Sequence, residues 1–104
     1  MVISGGVNIY PAEIEAALLE HQAIGDCAVF GVPDAEYGET PVAFVEPVGA
    51  IDAGAVRAFL RGRLAGYKVP RHIVVTDRLP REETGKIMKR KLREQFLATE
   101  QVDG

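Results

Sequence analysis

A chain of 104 residues with 47% apolar and 26% charged side chains has room for one domain with a single modest core, and is too apolar for wholesale disorder. A formal net charge of −3, the absence of tryptophan and the lack of aromatics among the basic residues argue against a nucleic-acid partner. No apolar run approaches the roughly 18 residues of a membrane span, no secretory leader is evident, and a lone cysteine excludes an internal disulfide framework. These features predict a cytoplasmic protein with no membrane span.

The charge is unevenly placed. Residues 1–52 carry nine acidic and no basic side chains, for −9, whereas residues 53–104 hold all 12 basic residues against six acidic ones, for +6. Such asymmetry fits a surface that meets an anion, and it also fits helices decorated with solvated cations.

In chain order, Val7-Asn8-Ile9-Tyr10 suits a short strand. Pro11 then suits the first turn of a helix, with Glu13 and Glu15 near its positive end and Ile14, Ala17 and Leu18 on its buried face. Ala28 to Val32 and Val42 to Val45 read as strands separated by the turn-rich stretch from Pro33 to Gly38. A second helix is predicted from about Ala53, N-capped by Asp52, with Val56, Phe59, Leu60 and Leu64 at helical spacing. Ile73 to Thr76 is a further strand, Leu79 to Gly85 a loop, and a last helix is expected from about Lys86 to Leu97. The order β-α-β-β-α-β-α predicts an α+β fold, a small mixed β-sheet with helices packed on it, forming one domain over residues 1–104. His21 and His72 have no ligand-spaced partners, so no metal site is expected, and Cys27 is expected to fill core volume.

Two loops carry the chemistry. The first is Ser4-Gly5-Gly6-Val7-Asn8-Ile9-Tyr10-Pro11, whose paired glycines suit a tight turn or a close approach by another molecule. The second runs Leu79-Pro80-Arg81-Glu82-Glu83-Thr84-Gly85-Lys86-Ile87-Met88. A Gly-Lys pair opening a helix would favour an anion, although the earlier glycine of a P-loop is missing and a solvated lysine is the commoner occupant of such a site.

Taken together, the two loops resemble the two C-terminal motifs of the adenylate-forming superfamily, which includes acyl-CoA and aryl-CoA synthetases, luciferases and peptide-synthetase adenylation domains. Val32-Pro33-Asp34, Tyr37-Gly38-Glu39 and Tyr67-Lys68-Val69-Pro70-Arg71 also fall where that family has similar residues, so the resemblance extends from Met1 to about Phe96. Ser4-Gly5-Gly6 with Thr84-Gly85-Lys86-Ile87 is more similar to the CoA ligases, including those of fatty acid metabolism, than to the peptide-synthetase branch.

The resemblance implies an acid–thiol ligase that works in two half-reactions. A carboxylic acid and ATP give an acyl-adenylate, and after the C-terminal domain swings, coenzyme A displaces AMP to form a thioester. Lys86 matches the catalytic lysine of adenylation. Gly5 and Gly6 match the loop lining the pantetheine channel. Tyr37, Tyr67, Lys68 and Arg71 match positions near the CoA arm and nucleotide, although a packed tyrosine and a solvated strand edge would explain them as well. Mg²⁺ is expected to travel with ATP and to be held outside this domain. The family's larger N-terminal domain, its hinge and its acyl pocket have no counterpart in these residues, so the isolated piece is expected to fold and to be inactive. The alternative is a stand-alone binding or regulatory module acting in trans on another chain.

Overall fold

The computed structural model describes residues 1–103, with side chains through residue 99. It opens with two short strands, β1 (Val2–Ser4) and β2 (Val7–Ile9), paired antiparallel as a hairpin with Val2 opposite Ile9. Gly5 and Gly6 form the two-residue turn with φ of +57° and +82°. A hairpin turn of this kind needs positive φ at both central residues, which glycine supplies without a Cβ penalty.

Helix α1 (Pro11–Leu18) follows, with proline in its first turn and Ile14, Ala17 and Leu18 buried. Strands β3 (Ile24–Asp34) and β4 (Gly38–Pro47) form a long antiparallel hairpin. Both run further than the apolar pattern predicts. Pro33 and Asp34 stay in register opposite Glu39 and Gly38, and Gly25 is absorbed by a register shift between Ile24 and Asp26. Helix α2 (Ala53–Arg61) starts where expected, with the Asp52 carboxylate accepting the Ala55 amide at 2.8 Å. A 3-10 turn at Gly66–Lys68 leads to β5 (His72–Val75), which lies parallel to β4.

The sheet order is β2-β1-β4-β3, with β5 also paired to β4, so β4 is its centre. Successive residues of β3 and β4 point to opposite faces, and both faces are covered, which is why these strands read as nearly continuous apolar runs. Cys27, Val29, Ala43 and Val45 join Ile14, Leu18, Val56 and Leu60 in a core beneath α1 and α2. Ala28, Phe30, Val42 and Phe44 join Leu79 and Leu92 in a second core beneath the last helix, α3 (Lys89–Asp103). The result is a three-layered α+β domain with a small mixed sheet in the middle, as predicted.

Two expectations are corrected: Val2–Ser4 is an additional strand, and the start of the last helix is shifted. The last helix begins at Lys89 rather than Lys86. Gly85 has φ of +92°, Arg81 bridges antiparallel to Ile87, and the Met88 amide returns to the Pro80 carbonyl at 2.9 Å. The chain is therefore still folding back on itself through Ile87, and Lys86 sits in a hairpin rather than on a helix N-terminus.

Candidate functional site

Five of the seven predicted site residues fall in two clefts that share no lining residue. The first contains Lys86, with Gly85 and Glu82 of the same hairpin, and is walled by Glu15 of α1, Leu19 just past its end and Cys27 of β3. Lys86 is exposed. Among the described residues it enters no salt bridge, whereas neighbouring Lys89 is engaged with Glu15 at 2.8 Å. Arg90 pairs with Glu94 one turn on, and Arg93 donates to the Gly31 carbonyl at 2.9 Å. The basic start of α3 is thus largely tied down, and the Lys86 ammonium remains available to an anion. It cannot draw on free amides at a helix start, because the Lys86 carbonyl accepts the Glu82 amide at 2.8 Å within its own turn.

Cys27 closes the floor of this cleft. Burial, then the carboxylates of Glu15 and Asp26, pushes its thiol up to about 12, so it is a neutral packing group.

The second cleft, of about 370 Å³, is where four of the sequence-predicted residues meet: Gly5 from the first hairpin, Tyr37 from the β3–β4 turn, Tyr67 from the 3-10 turn, and Arg71 just before β5. The Gly5 amide donates to the Tyr37 carbonyl at 2.8 Å. The Arg71 guanidinium lies over the Tyr37 ring, 4.3 Å from its centroid, in a cation–π contact, and enters no salt bridge among the described residues. Asp34 shapes the turn by accepting the amides of Glu36 and Tyr37, each at 2.9 Å. Those two amides, with a smaller contribution from Arg71, hold the Asp34 carboxyl below its usual range. Tyr67 is 57% exposed and forms a flat apolar wall.

Two predicted residues stand apart from this group. Lys68 turns away to donate to both carboxylate oxygens of Glu13, at 2.9 and 3.1 Å, and that hydrogen-bonded partner raises its ammonium pKa. Gly6 shares the turn with Gly5 but does not line the cleft. The sequence reading missed Arg81, whose guanidinium ties the Lys86 hairpin to carboxylates 35 and 55 residues away. Separations of that length leave no local pattern to read. Among the described residues there is no cluster of three His, Cys, Asp or Glu able to hold a metal, and no helix long and apolar enough to cross a membrane.

Residues 13–86 match the family model described as the AMP-binding enzyme C-terminal domain. A feruloyl-CoA synthase of Amycolatopsis is 50% identical over 98 residues, covering 92% of this chain and 20% of that protein. A 2-succinylbenzoate–CoA ligase of Geobacillus kaustophilus is 45% identical over 104 residues, covering 98% of this chain and 21% of that protein. The solved structure of a Mycobacterium tuberculosis fatty acyl CoA synthetase superposes with a TM-score of 0.88 at 40% identity, over 95% of this chain and 20% of that one. The chain thus spans about a fifth of the length of the curated relatives it matches.

Proposed function

We propose that this chain, which belongs to the AMP-binding enzyme C-terminal domain family, is the mobile catalytic lid of an ATP-dependent carboxylate–CoA ligase. Its partner in this reading is a larger domain holding ATP, the Mg²⁺ that accompanies it and the acyl substrate. What supports the reading is the presence on one domain of two separate clefts, one lined by Lys86 and the other by Gly5, Tyr37, Tyr67 and Arg71.

In the first half-reaction a carboxylate oxygen attacks the α-phosphorus of ATP and the bond to pyrophosphate breaks. Two anions must be brought together while negative charge builds on the phosphoryl oxygens. An ammonium brought to that point, the role proposed for Lys86, lowers this barrier electrostatically. In the second, the CoA sulfur attacks the acyl carbonyl, its proton leaves to solvent, and AMP departs. That step needs a narrow, sterically open channel for the pantetheine arm and a cationic mouth for the nucleotide. Gly5 and Tyr37 suit the first requirement, and Arg71 supplies the cation for the second, with the Tyr67 ring beside it as a face for stacking. The feruloyl and 2-succinylbenzoate relatives favour an aryl or acyl carboxylic acid as substrate.

The test is Lys86→Ala in the intact ligase. Adenylation, followed by pyrophosphate exchange, should fall about 100- to 1000-fold, the loss expected for one preorganised charge contact. Thioester formation from a supplied acyl-adenylate should change far less. Equal losses in the two half-reactions would overturn the assignment.

A further inference from the structure

Because the Lys86 side chain has no salt-bridge partner among the described residues, its position is inherited from the backbone that carries it. That backbone is the hairpin of residues 80–88, closed by Glu82 to Lys86, Gly85 to Glu82 and Met88 to Pro80 hydrogen bonds of 2.8, 2.8 and 2.9 Å. On its apolar side, buried Leu79 and half-buried Ile87 pin it to the second core. Its polar side is held by Arg81. Nη1 and Nη2 donate to the two Glu46 oxygens at 3.0 Å each, and Nη2 also reaches Asp26 at 2.9 Å. Glu46 in turn accepts the Leu79 amide at 2.7 Å, and Arg81 Nη1 donates to the Leu79 carbonyl at 3.3 Å.

The arrangement is specific to a guanidinium. Asp26 and Glu46 are cross-strand partners on β3 and β4, so two carboxylates stand side by side at the foot of the hairpin. Like charges in that register repel. A planar fork satisfies both at once and fixes its own orientation in doing so, which a point-charge ammonium does not. Asp26 also lines the Lys86 cleft, so the tether and the catalytic ammonium border the same space.

We propose that Arg81 is the positioning residue for Lys86. By clamping Asp26 and Glu46 it holds the hairpin against the sheet, and the ammonium is thereby presented at one height and angle to the reacting phosphate. The proposal rests on the adenylation role assigned to Lys86 above. Displacing a catalytic group by about 1 Å is enough to cost on the order of 100-fold in rate.

The experiment is a double-mutant cycle in the intact ligase, with both half-reactions measured separately. Arg81→Ala should slow adenylation about 100-fold and leave thioester formation from supplied acyl-adenylate within about twofold. Arg81→Lys, which keeps the charge and loses the fork, should fall between. In a Lys86→Ala background, Arg81→Ala should cost nothing further, because it acts through that ammonium. Amide hydrogen exchange should quicken at Glu82, Gly85 and Met88 while the β3–β4 amides stay protected. A further loss in the Lys86→Ala background, or equal slowing of both half-reactions, would make Arg81 merely structural and overturn the proposal. Wild-type adenylation by Arg81→Ala alongside a slow Lys86→Ala would overturn it while leaving the Lys86 assignment intact. Full adenylation by Lys86→Ala would instead remove that assignment, and this proposal with it. Should Arg81→Ala fail to fold, Glu46→Gln carries the same cycle, since it keeps an acceptor for the Leu79 amide and weakens only the fork.

Discussion

Gly5 and Tyr37, 32 positions apart, are joined by an amide-to-carbonyl hydrogen bond of 2.8 Å, and a Cβ on Gly5 would lie 3.3 Å from the tyrosine Cδ1. The bond docks the turn of the first hairpin on the β3–β4 turn, and the two together form one wall of the second cleft. Gly6, next in sequence, has open space where its Cβ would stand. Alanine at either site meets the same backbone penalty, about 1–2 kcal/mol for a left-handed conformation. Gly5→Ala must in addition displace Tyr37. Thermal melts should therefore show a loss in both variants, the larger one in Gly5→Ala, and thioester formation should also fall more in Gly5→Ala. Indistinguishable thioester rates would remove Tyr37 from the channel wall.

Lys68 and Arg71 are both cations of the segment before β5, yet their surroundings assign them different work. Lys68 is committed to Glu13, whereas Arg71 lies over Tyr37 and enters no salt bridge among the described residues. Arg71→Ala should raise the KM for CoA about tenfold or more, the usual effect of losing a hydrogen bond to a charged group. Lys68→Met should stay within about twofold, since exposed ion pairs contribute little. The reverse order in steady-state kinetics would mean that Lys68 leaves Glu13 when CoA binds.

Asp52 caps α2, an element that lines neither cleft. Asp52→Ala should cost about 1 kcal/mol, or roughly 4–8 °C in Tm for a domain of this size, with both half-reactions unchanged. Calorimetry of the variant checks the first number, and an unaltered Tm would contradict it.

The Cys27 thiol gives a pH signature. Its folded pKa is raised from 9.0 to about 12, so the unfolded chain loses the proton first as pH climbs. Below about 9 the group has no effect on the folding equilibrium. Between about 9 and about 12 the unfolded state is increasingly favoured, and the wild type should lose stability relative to Cys27→Ala across that window. Denaturant titrations of the two proteins at several pH values measure the difference. Parallel curves would contradict a buried neutral thiol. At pH 8 the same thiol should react with disulfide reagents only after unfolding.

The elements with strong local signals were legible in the sequence. Pro11 and Asp52 mark helix starts because proline's missing N–H and aspartate's acceptor act within one turn. The alternating and continuous apolar runs of β3 and β4 likewise report burial directly. The segments misjudged are those fixed by distant partners. Val2–Ser4 becomes a strand by pairing with residues 7–9 and touching Gly38, and three residues carry too little periodicity to reveal it. The helix expected at Lys86 is delayed to Lys89 by the Arg81–Ile87 bridge and the Gly85 backbone, which end one structure before starting the next. At the second cleft, Gly5, Tyr37, Tyr67 and Arg71 were each identifiable from the family resemblance, but their convergence follows only from the way β1, β4 and β5 share one edge-to-edge arrangement. The same spacing logic could not separate Lys68 from Arg71, because the difference is set by Glu13, 55 residues earlier.

The disjoint lining of the two clefts has an evolutionary reading. Under the proposed function, heritable change at Tyr37 or Tyr67 would alter the wall met by a thiol acceptor without replacing any residue that lines the Lys86 cleft. In such a ligase a lineage would be free to vary its acceptor by small steps while the residues of the activation cleft stay the same.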